Sequence, residues 1–329
     1  MANLSKKKRL TTAPGMASVY TAFIGAIVLM VIFTLVNKNF ASKNNLMSLS
    51  RSICPYLLVG VGQGIVCITG NIDLSIGSVL GMSSMITATL ICKSVNPILA
   101  LLLNLIACLC VGVINGILVS KCGLPSFIGT LGTMTIGRGI AEIVNDNYNT
   151  GDIGTAPLVS AIRNLFYYGK LGVIYESLIL TLVIWFAFNY VMNRTKIGRH
   201  IYAIGSNVDA ARLSGVSVYK TITISYLISA FCSCVAGLEV MSVSGMGSMQ
   251  AGVNYEMYGV AAAVIGGIST LGGSGCLVGV IAGASIWAIL QNGLTLAGVP
   301  VAIRNIVIGL IVVACVLADI MRRGGRKSK

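Results

Sequence analysis

The chain alternates between long apolar runs and short polar stretches, and this pattern sets the predicted elements. Ten runs approach or reach the roughly 20 apolar residues that a helix needs to cross a bilayer. They cover approximately residues 16–36, 53–70, 74–92, 96–119, 125–143, 174–192, 220–243, 257–271, 274–294 and 300–320. The pattern predicts an all-α, polytopic membrane protein of about ten helices (eight to ten) in one membrane domain over residues 16–320.

The basic residues predict which ends of the spans face the cytoplasm. They cluster at the N-terminus, in the stretch 193–219 and at the C-terminus, and short loops rich in Lys and Arg remain cytoplasmic. With both ends inside, fifteen Lys and Arg fall on inner segments and six on outer ones. The first run is followed by Asn-Lys-Asn at 37–39 with no small-residue cleavage site, so an uncleaved helix is predicted. Residues 1–15 and 321–329 are then basic cytoplasmic tails.

Composition narrows the class of protein. Hydrophobic residues make up 56% of the 329 positions and charged residues only 10%, against roughly 25% in soluble domains. This balance excludes a soluble enzyme, a disordered chain and a secreted disulfide scaffold. A net charge of +14 would suggest nucleic acid in a soluble protein, but here the basic residues flank apolar spans. We therefore expect membrane lipid around the chain and no nucleic-acid partner.

Two stretches of the sequence resemble each other. Asn-Gly-Ile-Leu at 115–118 precedes Gly-Leu-Pro at 123–125, and Asn-Gly-Leu at 292–294 precedes Gly-Val-Pro at 298–300. Five spans separate them, and an odd number of spans per repeat gives the two halves opposite orientation. The pattern predicts an inverted repeat, although both signals are also ordinary turns at helix ends.

Glycine spacing indicates where helices pack closely. Three sets have the four-residue spacing that lets backbones approach in lipid: Gly77/Gly81, Gly112/Gly116 and Gly275/Gly279/Gly283. The last set predicts a tightly packed face on the ninth span, either inside the bundle or at a seam between two copies of the chain.

The sequence contains no motif of catalytic or metal-binding residues typical of an enzyme. His200 is the only histidine, so metal sites that need two are excluded, and no metal is predicted. The ten cysteines fit small apolar residues of membrane helices in a reducing cell. The one Gly-Lys pair, Gly169-Lys170, lacks the surroundings of a phosphate-binding P-loop. The chain is therefore predicted to be neither an enzyme nor an ATPase.

Charged residues are scarce within the predicted spans. Asp73 falls between two spans, where Asn71 or Asp73 could cap a helix or mark a polar break beside a transport route. Arg138 and Glu142 are expected to pair with each other, and Glu239 to face solvent near the end of a span. Because no series of acidic residues crosses the membrane, proton coupling is disfavoured.

The central basic stretch carries the signals of a short helix. Asn207 can cap its start, Asp209 lies in the first turn, Arg212 lies near the end and Gly215 fits the position after the end. A helix of about eight residues is marginal alone in water, so it needs a surface to pack on. We expect Ala210, Ala211 and Leu213 to offer that contact face to a cytoplasmic partner, the alternative being a solvated loop.

Three blocks together resemble the permease subunits of ribose/galactose-type bacterial ABC sugar importers. They are GNIDLSIGS at 70–78, TKIGRHIYAIGSNVDAARLSGV at 195–216, and GGISTLGGSG at 266–275 with LQNGLTLAGVP at 290–300. The resemblance runs from about residue 40 to 320. It implies a multi-pass protein of the bacterial cytoplasmic membrane that transports a monosaccharide. It also implies three partners: an ABC ATPase subunit that binds ATP and Mg²⁺, an external sugar-binding protein and a second permease copy.

The resemblance also assigns roles to residues. It places a coupling helix, which sits in a groove of the ATPase, within loop 193–219. The implied contact residues are Asn207, Asp209, Ala210, Ala211, Arg212, Leu213, Ser214 and Gly215. Polar residues near span ends are candidates to line the translocation path: Gln63, Asn71, Asp73, Gln250, Asn254 and Tyr255. No tight sugar site is required in the permease, because the binding protein supplies selectivity.

Other classes of function predict different behaviour. A secondary transporter driven by an ion gradient would lose uptake with an uncoupler and would work without an ATPase. A membrane-embedded enzyme would need a nucleophile and base, or metal ligands, at one depth. A passive channel would leave the capped helix of the central stretch without a role.

Overall fold

The computed structural model describes residues 16–307, 309–311 and 313–314, which are helical except for loops and one small β-hairpin, in which β1 (Lys170–Leu171) pairs antiparallel with β2 (Ile174–Tyr175). The helices are α1 (Met16–Val36), α2 (Lys43–Ile68), α3 (Ile76–Cys92), α4 (Pro97–Ser120), α5 (Ser126–Ile143), α6 (Pro157–Arg163), α7 (Glu176–Arg194), α8 (Lys196–Ser206), α9 (Val208–Leu213), α10 (Val218–Ser244), α11 (Tyr255–Ile265) and α12 (Leu277–Leu296). A 3-10 helix (Lys38–Ala41) follows α1, and a further helix, Val301–Ile311, follows α12. The all-α prediction is confirmed. The predicted tails 1–15 and 321–329 lie outside the described residues.

Six helices of the described part are long and apolar enough to cross a membrane: α1 (from Val19), α2, α4, α7, α10 and α12. The helices α3, α11 and Val301–Ile311 are apolar but shorter. Each of the ten predicted runs contains at least part of a helix. A multi-pass membrane protein is therefore confirmed, while the number of spans stays a prediction.

Two long helices form the centre of the bundle. α10 packs against α2, α3 and α4, and α2 also contacts α11 and α12. Both central helices are mostly buried, whereas α1, α4 and α7 expose most of their surface. That exposed surface is rich in Ile, Leu, Val and Phe. Such apolar exteriors are stable only when lipid covers them, because a soluble protein rarely exposes large apolar patches.

Local sequence signals explain where two helices depart from the predicted spans. α2 begins ten residues before the predicted residue 53, because Ser42 caps it by accepting a 3.3 Å hydrogen bond from the Asn45 N–H. α11 ends at Ile265 instead of 271. Gly267 follows with φ +87°, a conformation that suits glycine and cannot continue a right-handed helix.

The small-residue spacings mark close helix contacts within the bundle. A Cβ on Gly112 or Gly116 of α4 would collide with the backbone of α10 at Tyr226 or Thr223. On α12, a Cβ on Gly279 would collide with the backbone of Gly266, just past the end of α11. Of the two predicted locations for this face of α12, the structure supports the one inside the bundle.

The expected pairing of Arg138 with Glu142 is wrong. Arg138 Nη1 donates a 2.6 Å hydrogen bond to the Ala251 carbonyl oxygen, in the loop before α11, and the charge of Glu256 acts on it more strongly than that of Glu142. Glu142 is exposed, and no ion pair within 4.0 Å joins it to Arg138 in the described residues. Arg138 and Glu142 have the four-residue spacing of a helical ion pair, but the Arg138 guanidinium binds a carbonyl oxygen of another segment instead.

Candidate functional site

The basic stretch between α7 and α10 forms two helices, α8 and α9, where one short helix was predicted. α8 is capped by Thr195, whose hydroxyl accepts a 3.4 Å hydrogen bond from the Gly198 N–H. Its buried residues, Gly198, Ile201 and Ile204, lie on one face, which anchors the helix on the bundle.

Asn207 separates the two helices. Its N–H donates to the Ala203 carbonyl at the end of α8, and its side chain accepts a 2.9 Å hydrogen bond from the Ala210 N–H at the start of α9. Gly215 follows α9 with φ +80°, so the chain turns in the left-handed conformation that favours glycine. The predicted positions of Asn207 at the start and Gly215 after the end of this helix are confirmed.

α9 touches the bundle through one residue and presents the others outward. Ala211 is buried against Ile204, Ile222 and Tyr226. It therefore faces the bundle of this chain, and its predicted place on an outer contact face is wrong. Leu213, in contrast, is 90% exposed. The remaining predicted contact residues Asn207, Asp209, Ala210, Arg212, Ser214 and Gly215 are also exposed.

Asp209 and Arg212 carry the charge of this surface. Their side chains form an ion pair at 3.7 Å with exposed fractions of 87% and 67%. An exposed pair of this kind contributes only about 0–1 kcal/mol to stability. Both groups are therefore free to exchange their mutual contact for contacts with another molecule at little cost.

The end of α8 packs closely against the end of α2 and the loop before α12, and glycines make this close approach possible. A Cβ on Gly205 would overlap the Ile68 carbonyl oxygen at the end of α2 and would lie 2.5 Å from the Gly273 nitrogen. The Gly273 N–H in turn donates a 2.9 Å hydrogen bond to the Ile68 carbonyl oxygen. We call this contact of Gly205, Ile68 and Gly273 the glycine junction.

Tyr202 adds a side-chain link beside the glycine junction. Its hydroxyl donates a 2.8 Å hydrogen bond to the Gly275 carbonyl oxygen. Burial, and to a smaller extent the nearby Cys276, raise the pKa of Tyr202 to about 12, so the phenol keeps its proton at neutral pH and remains a donor. A Cβ on Gly272 would lie 2.7 Å from the Gly205 carbonyl oxygen and 2.9 Å from the Gly70 nitrogen. The blocks at 70–78, 195–216 and 266–275, far apart in sequence, therefore meet at one place.

Asp73 lies next to this place, in the break between α2 and α3. It is 2% exposed, and its Oδ1 accepts hydrogen bonds from the N–H and hydroxyl of Ser75 at 2.9 and 2.6 Å. Its Oδ2 accepts a 2.7 Å hydrogen bond from the Ser229 hydroxyl of α10. Asp73 thus accepts a backbone N–H near the start of α3, whereas Asn71 donates its amide to the Thr69 hydroxyl instead.

Further hydrogen bonds connect Asp73 to α4 and α5. The Asn115 amide donates to the Ser75 hydroxyl at 2.8 Å, and the Thr133 hydroxyl donates to Asn115 Oδ1 at 2.6 Å. All these side chains are buried. A fully satisfied buried network rigidifies its surroundings, so the break between α2 and α3 is fixed to three neighbouring helices.

The remaining path candidates occupy different surroundings. Gln63 is fully buried in the last quarter of α2, five residues before its end at Ile68. Asn71 lines a cleft of about 570 Å³ between α8–α9 and the α4–α5 turn. Gln250 is exposed, and Asn254 lies at φ +69° before α11. Tyr255 lines a separate cavity of about 290 Å³.

Glu239 lines that same smaller cavity, and its expected exposure to solvent is wrong. It is 2% exposed, and the Thr181 hydroxyl donates a 2.9 Å hydrogen bond to its Oε1. The apolar run 220–243 held one acidic residue near its end, which is compatible with either an exposed or a buried side chain. Only the packing of other segments around the end of α10 decides between them.

Several structurally important residues carry no sequence signal of their own. Ser229 lies in an apolar run whose small polar residues look alike, and only the fold brings its hydroxyl to Asp73. Tyr202 and Gly205 lie inside a recognised block but outside its predicted helix. Among the described residues, no group of three or more His, Cys, Asp or Glu side chains is placed to hold a metal ion.

Comparison with known proteins identifies the class. The family described as branched-chain amino acid transport system / permease component matches residues 45–316. The ribose import permease protein of Haemophilus influenzae is 34% identical over 300 residues, covering 91% of this chain and 92% of that protein. The corresponding protein of Bacillus subtilis is 34% identical over 297 residues, covering 90% and 91%. No solved structure matches the chain.

A third relative acts on a different sugar. The D-allose transport system permease protein of Escherichia coli is 33% identical over 303 residues, covering 91% of this chain and 90% of that protein. The chain belongs to this family of ABC transport permeases, and it is a multi-pass protein of the bacterial inner membrane. The resemblance drawn from the three sequence blocks is confirmed.

Proposed function

We propose that this chain is the membrane-spanning subunit of an ATP-driven importer for a monosaccharide. The names of its relatives support this assignment, since they describe permeases for ribose and D-allose and match over nine-tenths of the chain. Galactose and xylose belong to the same substrate class. An ion-gradient-driven transporter is not favoured by these relatives.

The proposed topology has ten spans, both termini in the cytoplasm and two inverted halves. The two similar turns support the repeat, because Gly123 and Gly298 have φ of +71° and +72° and each precedes a Pro two residues later. In this topology, the α8–α9 segment is cytoplasmic and the segment 144–175 is external. The domain consists of residues 16–320 with basic tails on either side.

The proposed assembly contains two copies of this permease, two ATPase subunits and an external sugar-binding protein. ATP and Mg²⁺ would bind to the ATPase and not to this chain. Helix α9 is the proposed contact with the ATPase. A six-residue helix is too short to be stable alone, and 90% exposure of Leu213 leaves an apolar side chain without a partner.

The glycine junction suggests how the ATPase would drive the permease. Closure of the ATPase dimer on ATP would move α8–α9 as a unit. Because Gly205 contacts Ile68 and Gly273 through backbone atoms, the movement would pass to the α2–α3 break and to the loop before α12. Two permeases rocking in this way would open the path to each side in turn.

One observation carries this proposal more than any other. The short exposed helix α9 is joined, through Gly205 of α8, to the end of the central helix α2 and to the loop before α12. A cytoplasmic loop without a mechanical role would need no such contact.

Uptake into proteoliposomes tests the function. Vesicles containing permease, ATPase and binding protein are expected to accumulate D-ribose, D-allose, D-galactose or D-xylose only with ATP and with all components present. An uncoupler should leave the accumulation unchanged. Uphill accumulation by the permease alone would contradict the proposal.

Photocrosslinking tests the contact. A photoreactive phenylalanine analogue in place of Leu213 is expected to crosslink to the ATPase chain. The matched control places the same analogue at Val173, which is 72% exposed in the β-hairpin on the proposed external side. Equal crosslinking from both positions, or none from Leu213 in an active importer, would rule out the proposed contact.

A further inference from the structure

A small cavity at the proposed external end of α2 and α10 is distinct from the glycine junction. Its volume is about 290 Å³, at the lower end of the range of about 300–1,000 Å³ for small-molecule sites. Its principal lining residues are Arg51, Tyr56, Phe166, Tyr167, Glu239 and Tyr255. Aliphatic and small polar residues complete the lining, so the cavity combines aromatic and apolar surface with one acidic and one basic side chain.

The carboxyl group of Glu239, which lines this cavity, has one oxygen without a hydrogen-bond partner. Glu239 is 2% exposed, and while Thr181 donates to Oε1, the buried Oε2 has no hydrogen-bond partner. An unpaired buried carboxylate oxygen is costly, and an ionisable residue at membrane depth usually has a functional reason. Glu239 Oε2 is therefore available to bind a hydrogen-bonding ligand in the cavity.

The basic residue is held away from the acidic one. The Arg51 guanidinium lies over the rings of Tyr167 and Tyr175, at 4.2 and 4.7 Å from their centroids. Its buried Nε has no hydrogen-bond partner, and no ion pair within 4.0 Å joins it to Glu239 in the described residues. The cavity therefore offers two hydrogen-bonding groups, Glu239 and Arg51, that are not bound to each other.

We propose that this cavity is a transient binding site for one monosaccharide as it leaves the binding protein. A neutral molecule with several hydroxyls can form hydrogen bonds with both Glu239 and Arg51, whereas a cation would be repelled by Arg51. Tyr56 and Tyr255, stacked at 5.5 Å, supply aromatic surface for the apolar face of a sugar ring. The volume accommodates a single ring.

This inference rests on the proposed function, because it requires that the cavity be on the external side of a sugar importer. Binding is expected to be weak, so that the sugar can move on into the path. Glu239→Gln keeps the size and the contact with Thr181 but replaces the unpaired carboxyl oxygen by an amide nitrogen. Loss of the hydrogen bond between this oxygen and the sugar should weaken sugar binding about tenfold or more.

Saturation-transfer NMR on the permease in nanodiscs, without binding protein, measures this directly. The probes are D-ribose, D-allose, D-galactose and D-xylose at millimolar concentration. We expect at least one of these sugars to give a signal. Glu239→Gln is expected to weaken the affinity for that sugar about tenfold or more. Glu142→Gln, the same change at an exposed glutamate outside the cavity, is the matched control and should retain the signal.

A second variant guards against misfolding of the first. Ser52→Trp fills the cavity from its edge and leaves Glu239 in place. It should abolish the same signal and lower sugar uptake by the complete importer, while the ATPase subunits remain bound.

The outcomes separate the two proposals. No signal from any of the four sugars, or unchanged binding in both Glu239→Gln and Ser52→Trp, overturns the sugar site while ATP-driven uptake can still be intact. If binding follows the expected pattern but the permease accumulates sugar without an ATPase, the proposed function fails and the site stands.

Discussion

The Ser229 hydroxyl donates a 2.7 Å hydrogen bond to Asp73 Oδ2, although the two residues are 156 positions apart. The bond joins the central helix α10 to the break between α2 and α3. α10 also follows α9 directly along the chain, so the short exposed helix reaches the same break by two routes. One route passes through the glycine junction and the other through α10.

We expect Ser229→Ala to destabilise the permease. The change leaves one oxygen of the buried Asp73 carboxylate without its donor, which costs about 1–3 kcal/mol. Thermal unfolding of the purified protein in detergent measures the effect. Ser233→Ala is the matched control one turn further along α10, since the Ser233 hydroxyl donates only to the Ser229 carbonyl of its own helix. Equal shifts for both variants would contradict a special role of the Asp73 contact.

Gly205→Ala should disrupt the glycine junction. The added Cβ would overlap the Ile68 carbonyl oxygen, which is backbone and cannot rotate away. We expect ATP-dependent uptake to fall at least about tenfold, with the protein still inserted in the membrane. Gly132→Ala in α5 is the control, because its Cβ would meet nothing within 4 Å. Normal uptake by Gly205→Ala would show that the contact tolerates displacement.

Tyr202→Phe removes one hydrogen bond and leaves the ring in place. The lost bond to the Gly275 carbonyl costs about 1 kcal/mol and loosens α8 from the loop before α12. We expect fewer sugar molecules imported per ATP hydrolysed, measured in the same proteoliposomes. The control is Tyr219→Phe, a tyrosine that is 41% exposed at the start of α10. An unchanged ratio for Tyr202→Phe would exclude a role for this bond in coupling.

Charge reversal at Arg212 tests the surface of α9. Arg212→Glu should abolish uptake without a measurable change in stability, because the exposed pair with Asp209 is worth about 0–1 kcal/mol. The double variant Asp209→Arg with Arg212→Glu restores an ion pair within α9 but not the original pattern of charge. We expect it to remain inactive. Recovery of uptake in the double variant would indicate that only the internal pair matters.

Gly279→Leu should prevent correct packing of α12. The leucine would have to occupy the space of the Gly266 backbone, beside the end of α11. The yield of folded protein in detergent, measured by size-exclusion chromatography, is expected to fall strongly. Gly139→Leu, at an open position of α5, is the matched control. Full yield from Gly279→Leu would contradict the packed contact.

The helical class, most helix positions and the caps of α9 followed from the sequence, since apolar periodicity and capping residues are local signals. Contacts between distant segments did not. Ala211 looked like part of an outer face because its type is neutral, and only the packing of α9 against Tyr226 turned it inward. Arg138 and Glu142 had the spacing of a helical pair, but the Ala251 carbonyl lay closer.

The candidate site was predictable only in outline. The resemblance selected the three blocks, but nothing in their spacing indicates that Gly205 touches Ile68 and Gly273. Glu239 was recognised as an isolated acid, and its burial beside Arg51 and Tyr255 depends on how four separate segments meet. Tertiary packing, which no local pattern encodes, determines all of these relationships.

The glycine junction is made by backbone atoms of Gly205, Ile68 and Gly273, and this has a mechanical consequence. A contact between side chains can absorb a displacement, because a side-chain torsion can rotate before the neighbouring backbone moves. Backbone atoms already in contact have no such play, so a displacement of α8 by one ångström must move its neighbours by a similar amount or break the contact. If α9 binds the proposed ATPase, a movement of that subunit would therefore reach the end of α2 and the loop before α12 almost undiminished.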